Sequence, residues 1–215
     1  MSKHIYLISG MGADERMFRH LRFPDEYTVH YLPWLDPQPN EPYADYAARM
    51  ARGITAEGEI TLLGLSFGGM LSLEIAKQRP IAKNILISTI KHTRERPAYF
   101  NWVRRLKLNH LPDQLIFGKR YLIVKHYMGP QTPEAAQLLR EYLKKQDQHY
   151  MRWAINVVIN WENEFIPNHL VHIQGDSDLT FPLKTIQPTH VIKGGTHCMI
   201  MNQSAEINRI LSGEL

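Results

Sequence analysis

Gly64-Leu65-Ser66-Phe67-Gly68 sets a serine between two glycines directly after the short apolar run Ile60-Thr61-Leu62-Leu63. The residues that follow, Gly69-Met70-Leu71-Ser72-Leu73-Glu74-Ile75-Ala76, combine small and apolar side chains as a sheet-packed helix does. A strand that turns straight into a helix around G-x-S-x-G is so tight that no Cβ fits two positions before or after the serine. The pattern predicts a strained backbone at Ser66, with its hydroxyl projecting above a sheet. The amide of Phe67 opens the helix, where unpaired N–H groups favour negative charge. A nucleophile and half of an oxyanion site are thus offered by one motif. An ordinary glycine-rich turn can carry the same residues, so the weight of the motif depends on a base, an acid and a second donor elsewhere.

Strand and helix signals alternate around it. His4 to Ser9 reads as a strand ending in Gly10-Met11-Gly12, and Asp14 to Leu21 as a helix with Asp14 and Glu15 in its first turn. Tyr27 to Leu32 is a second strand, closed by Pro33, and a proline-rich loop from Trp34 to Pro42 leads into a helix from Tyr43 to Ile54. Strands follow at Ile60–Leu65 and Asn84–Ser88. Apolar strands alternating with helices imply an α/β protein whose parallel sheet is covered on both faces.

From Lys91 to Phe165 the period becomes helical, with helices expected near Ala98–Leu108, Lys119–Met128, Pro133–Lys145 and His149–Glu162. The alternation resumes at His169–Ile173 and His190–Ile192, with a last helix to Leu211. The division this predicts is a core of residues 1–90 and 166–215 and a helical cap or lid of residues 91–165, inserted after the fourth strand.

Composition narrows the possibilities. No apolar run approaches the ~18–20 residues of a membrane span, and no secretory signal is visible, so no stable membrane insertion is expected. The single cysteine, Cys198, leaves no internal disulfide and no cysteine-rich metal site, and it fits a reducing cytoplasm. The formal charge is +4 but uneven, since residues 91–165 hold 13 basic and 7 acidic side chains. A solvated helical surface accounts for that excess, and a mild attraction for anionic substrates or surfaces is the functional alternative.

A serine hydroxyl needs a neighbouring base, for which histidine is the usual choice. Functional residues of open parallel sheets lie on loops at the C-terminal ends of strands. His197 meets that condition, following the last strand in Lys193-Gly194-Gly195-Thr196-His197. The loop after the preceding strand, Gln174-Gly175-Asp176-Ser177-Asp178, offers two carboxylates to orient it. Asp178 is assigned that role, and Asp176, directly behind the glycine, is assigned to bonding the turn. The loop after the first strand supplies Met11 N–H as the second oxyanion donor beside Phe67 N–H. Cys198 adjoins His197, but neighbouring residues do not face each other, and a small buried residue is expected there.

The order Ser66, Asp178, His197, each on its own post-strand loop, resembles the α/β-hydrolase family, and the resemblance covers nearly the whole chain. Gly175-x-x-Asp178 with Pro182 is similar to the acid loop of the family, and Gly194-Gly195-Thr196-His197 to its histidine loop, with Thr196 as an added residue. There are departures. Ser9 stands where many members have a histidine, Leu32-Pro33-Trp34-Leu35-Asp36-Pro37 replaces a glycine-rich turn, and the chain starts where longer members already have two strands. The expected fold is therefore a three-layer sandwich around a six-stranded, mostly or all-parallel sheet. The resemblance implies acyl transfer to water without metal or organic cofactor, on a small-molecule ester or thioester rather than a nucleic acid. Gly10, Gly12, Trp102 and Trp153 are the candidate substrate-binding residues, although packing accounts for most aromatics of the insert. Carbon–carbon hydrolysis or a lyase step on the same triad, and non-hydrolytic small-molecule binding, are the alternatives.

Overall fold

Successive side chains of a strand point to opposite faces of its sheet, and the first strand of this protein divides its apolar residues in that way. In the computed structural model, which describes residues 1–107, 120–145 and 147–215, β1 is Lys3–Ile8. Ile5 and Leu7 pack with Leu63, Ile85 and Ile87 against Ile207, Ile210 and Leu211 of the C-terminal helix. Tyr6 and Ile8 pack on the other side with Leu62, against Tyr46 and Met50 of one helix and Leu71 and Ile75 of another. Helices thus cover both faces, and the inner strands read as nearly continuous apolar runs because neither of their faces meets water.

The sheet has six strands, with β2 at Tyr27–Tyr31, β3 at Glu59–Leu65, β4 at Lys83–Ile87, β5 at Leu170–Gly175 and β6 at His190–Ile192. Their order is β2-β1-β3-β4-β5-β6, and every pairing is parallel. The register sets Ile8 beside Gly64 and Leu65 beside Ile87, so the elbow leaves the middle of the sheet. On the faces lie α1 (Tyr43–Ala51) and α2 (Phe67–Ala76), then α7 (Met199–Asn202) and α8 (Ser204–Glu214), which break at Gln203. The helix expected over Asp14–Leu21 is a single 3₁₀ turn, Glu15–Phe18. Only Phe18 and Leu21 are buried there, too few apolar positions to hold a longer helix on the sheet.

Between β4 and β5 run α3 (Ala98–Arg105), α4 (Arg120–Met128), α5 (Pro133–Lys145) and α6 (Gln148–Asn160). The expected ends Leu108 and Lys119 lie outside the described residues. Thr132 and Asp147 begin α5 and α6, the Thr132 hydroxyl accepting from Ala135 N at 3.2 Å and the Asp147 carboxylate from Tyr150 N at 3.0 Å. The insert sits over the exits of β1 and β3. Arg16 pairs with Glu141 at 2.7 Å and Tyr142 donates to Asp14 at 2.7 Å, while Trp153 stands edge-on to Phe67 at 5.9 Å. No described helix is long and apolar enough to cross a membrane.

Candidate active site

Ser66 links β3 to α2 with φ 54° and ψ −118°, a conformation that costs an L-residue free energy and persists only when its surroundings hold it. The holding bonds are visible. Ser66 N donates to Ile87 O at 2.9 Å, and Ser66 O accepts from Gly69 N at 2.9 Å and from the Thr89 hydroxyl at 2.7 Å. The flanking glycines are required by space. A Cβ on Gly64 would stand 2.4 Å from Gly68 O, and one on Gly68 would stand 2.2 Å from Ile8 O and 2.4 Å from Ser9 O. The second contact presses the elbow against the exit of β1, where the Gly10–Gly12 loop begins.

The acid and histidine loops touch for a similar reason. A Cβ on Gly175 would lie 2.1 Å from Gly195 O, so glycine there lets the two backbones meet. The contact brings Asp178 and His197 together although 19 residues separate them, with His197 Nδ1 2.9 Å from Asp178 Oδ2. On its other side His197 Nε2 lies 2.9 Å from Ser66 Oγ. A carboxylate only accepts, so Nδ1 carries the proton, and Nε2 is left to accept from the serine hydroxyl. Asp178 is saturated with donors. Gln174 Nε2 reaches the same Oδ2 at 3.0 Å, while Oδ1 takes Thr180 N at 2.8 Å and Phe181 N at 2.9 Å. Asp178 is 2% exposed and His197 5%, so this chain of hydrogen bonds is sheltered from water.

Asp176 instead accepts from Gly194 N at 2.7 Å and from the Ser177 hydroxyl at 2.9 Å, tying the two loops at the surface. Cys198 is buried, and burial, with the negative charge of Asp178 adding to it, pushes its thiol up to about 12. At neutral pH it is a protonated thiol and an inert one.

Ser66, His197, Phe67, Met11 and Gly10 line a cavity of about 330 Å³ beneath the insert. The candidate substrate-binding residues divide. Gly10 borders the cavity, whereas Gly12, at φ 67°, turns the loop and lies outside the lining. Trp102 is 62% exposed and Trp153 packs on Tyr46 at 4.4 Å, so neither faces the cavity. Helix geometry explains both departures. The lining side chains of α3 are Tyr99 and Phe100, and Trp102 stands about 200° around the helix from Phe100. Met151, Ile155, Val158 and Ile159 form the lining stripe of α6, and Trp153 is two residues from its nearest members, on the opposite side. A second stripe, Ala135, Leu139, Tyr142 and Leu143, comes from α5. The i, i+4, i+7, i+8 spacing of these stripes is the sequence signal that marks the lining. Among the described residues that line the cavity none is Lys, Arg, Asp or Glu.

Three supporting residues have no motif of their own. Thr89 holds the Ser66 carbonyl, Gln174 holds Asp178, and Trp34 stands against both the Gly10 carbonyl and the Phe67 ring. Their partners are backbone carbonyls, a ring and a carboxylate brought near only by the fold, and residue type alone does not reveal these contacts.

Residues 5–210 match the family model described as the alpha/beta hydrolase family. The fold is similar to that of an esterase from Exiguobacterium antarcticum, with TM-score 0.73 and 15% identity over 98% of this chain and 91% of that one. It is also similar to a thermophilic esterase from Thermogutta terrifontis (TM-score 0.71, 17% identity, 98% and 88% covered). An epoxide hydrolase from Bacillus megaterium is comparable (TM-score 0.72, 14% identity, 100% and 93% covered). None of the curated proteins matches the sequence. Identities of this size speak for the fold alone, but the family match runs through the elbow, the acid loop and the histidine loop together. This chain belongs to the alpha/beta hydrolase family.

Proposed function

We propose that the protein is a serine hydrolase that cleaves a carboxylic ester or thioester with an apolar acyl group. One observation carries the reading: the unbroken hydrogen-bond chain from Ser66 Oγ through His197 to Asp178, at 2.9 Å for each link, opening on an apolar cavity. An epoxide hydrolase shares the fold, so the reaction has to be argued from these groups.

In this mechanism Ser66 Oγ attacks the carbonyl carbon while its proton passes to His197 Nε2. Asp178 keeps the other nitrogen protonated and stabilises the imidazolium that forms. The carbonyl oxygen becomes an oxyanion between the amides of Met11 and Phe67, each worth roughly 3 kcal/mol of barrier. Collapse expels the alcohol or thiol, which takes the proton from His197, and leaves an acyl-Ser66. Water, deprotonated by His197, then attacks the acyl carbon and releases the acid and the serine. The cavity is at the small end of the ~300–1,000 Å³ range of ligand sites, and its described lining offers no charged side chain to an ionised acyl chain. A cytoplasmic location is part of the proposal, fitting a lone unpaired Cys198.

A fluorophosphonate probe tests the chemistry, and a panel of p-nitrophenyl esters and acyl-CoA thioesters of graded length tests the substrate. Labelling should map to Ser66 and vanish in Ser66→Ala. Folded wild-type protein that takes no label and cleaves no member of the panel would sink the proposal in favour of a non-hydrolytic binder.

A further inference from the structure

The peptide group between Gly10 and Met11 carries on one edge the Met11 amide and on the other the Gly10 carbonyl. The described chain has no cis peptide, so the two groups point in opposite directions across one plane. Whatever fixes the carbonyl therefore aims the amide. Two donors meet Gly10 O, Ala13 N at 3.1 Å and the indole Nε1 of Trp34 at 3.2 Å. The indole N–H is shared with Ser9 Oγ at 3.0 Å, and Ser9 donates in turn to Ala13 O at 2.8 Å. The same indole lies flat on the ring of Phe67, with centroids 5.0 Å apart and planes 9° from parallel. Phe67 carries the other amide of the pair. Trp34 thus touches the carbonyl edge of the Gly10–Met11 peptide and the ring of Phe67, from a loop that follows β2 and belongs to neither of their elements.

From this geometry we infer that Trp34 is a positioning residue for the oxyanion site. Its N–H locks the Gly10–Met11 peptide in the orientation that turns Met11 N–H toward the cavity, and its ring face fixes the Phe67 side. The inference rests on the serine-hydrolase reading above. A tryptophan packed as Trp34 is, partly buried, usually finds some acceptor for its N–H, but this acceptor sits on the far edge of the peptide whose near edge has the chemical task. Without the indole bond, the Ala13 amide is the remaining one of the two donors on Gly10 O, and the peptide is held by one bond in place of two. An interaction made with the transition state and not with the ground state should appear in kcat and leave KM unchanged.

The test compares wild type with Trp34→Phe, which keeps an aromatic face for Phe67 and removes the N–H. A second variant replaces Trp34 with benzothienylalanine, which keeps the shape of the indole and has sulfur in place of N–H. Both are assayed on one p-nitrophenyl ester and against a trifluoromethyl ketone, whose hemiketal oxygen imitates the oxyanion. Loss of a whole oxyanion donor costs about 10²–10³ in rate; with Ala13 still in place, kcat should fall by roughly 10–100-fold. KM should be unchanged, and the inhibition constant should rise by the same factor as kcat/KM falls. Variants with wild-type kcat, a loss confined to KM, or full activity in the benzothienyl protein would overturn the assignment to Trp34. An inert wild type would overturn the hydrolase reading and this inference with it, whereas an active wild type with indifferent variants removes only this inference.

Discussion

Replacing Asp178 by Asn changes one atom of the site, and the bonds around it determine the outcome. Four donors converge on the carboxylate: Thr180 N and Phe181 N on Oδ1, and Gln174 Nε2 and His197 Nδ1 on Oδ2. The two backbone donors cannot be reversed, so the Asn oxygen takes the Oδ1 position and its NH₂ group replaces Oδ2. That NH₂ meets Gln174 Nε2 donor against donor. Rotating the Gln174 amide gives no relief, because Nε2 also donates to Phe181 O at 2.8 Å. A buried pair left in this state costs about 1–3 kcal/mol of stability. His197 can accommodate the new NH₂ only by presenting a bare Nδ1, which moves its proton to Nε2, 2.9 Å from Ser66 Oγ. In that tautomer the imidazole no longer accepts the serine proton. The same substitution in a Ser-His-Asp protease lowers the rate by about 10⁴, or ~5.5 kcal/mol of barrier. We expect a loss of that order in kcat/KM for p-nitrophenyl ester hydrolysis, with a small fall in melting temperature. Asp176→Asn is the control, since its side-chain oxygen can keep the bond from Gly194 N at the surface. Its rate should stay within about threefold of wild type. If Asp178→Asn retained a tenth of the wild-type rate, or if Asp176→Asn were the worse variant, the assignment of the acid would be wrong.

Two further predictions concern the frame around the site. Gly68→Ala puts a Cβ 2.2 Å from Ile8 O, a backbone atom of the central sheet, and should cost at least the upper end of the ~1–3 kcal/mol of an overpacked core. Gly213→Ala in α8 meets nothing within 4 Å and should be neutral or stabilising by up to about 1 kcal/mol; thermal melts in which the two behave alike would contradict the clearance argument. His172 is buried, donating Nε2–H to Thr89 O at 3.1 Å, and burial, reinforced by the Lys91 ammonium 3.5 Å from Nδ1, lowers its pKa from 6.5 to about 4. The unfolded chain therefore binds the extra proton first. The stability from keeping this imidazole neutral is complete above pH 6.5 and is lost as pH falls toward 4, by ~3 kcal/mol in all. Urea midpoints measured from pH 8 to 4 should show that slope and lose most of it in His172→Gln; an equal slope in both proteins would refute it.

The parts that could be read from residues alone share a physical cause. Ile5, Tyr6, Leu7 and Ile8 sort between two sheet faces because strand geometry leaves them no other choice. The meeting of Ser66, Asp178 and His197 follows from their places at strand ends, with Gly64, Gly68, Gly175 and Gly195 removing the Cβ atoms that would keep the loops apart. Trp102 and Trp153 were less legible. An aromatic residue on a helix can face a cavity or turn away from it, and the choice depends on which stripe of the helix is drawn onto the sheet domain. On α6 the aliphatic stripe from Met151 to Ile159 faces the cavity, leaving Trp153 to meet Tyr43 edge-on and Tyr46 at a tilt. The short turn at Glu15–Phe18 was illegible for a related reason, since Asp14 and Arg16 are engaged by Tyr142 and Glu141 of α5, more than a hundred residues away.

Those long-range bonds also separate the chemistry of the site from its selectivity. Ser66, His197 and Asp178 are held by backbone bonds and by glycine contacts that tolerate no displacement. The wall formed by α5 is held partly in the core, through Ala135, Leu138 and Tyr142, and partly at the surface. Arg16–Glu141 and Arg19–Glu134 are ion pairs whose side chains are 34–43% exposed, and such pairs contribute about 0–1 kcal/mol each and weaken with salt. On the proposed serine-hydrolase reading, the side chains along the α5 stripe decide which acyl groups fit, while the distances from Ser66 to His197 and from His197 to Asp178 are set by other elements. A fold arranged in this way can change what it admits without changing what it does to it.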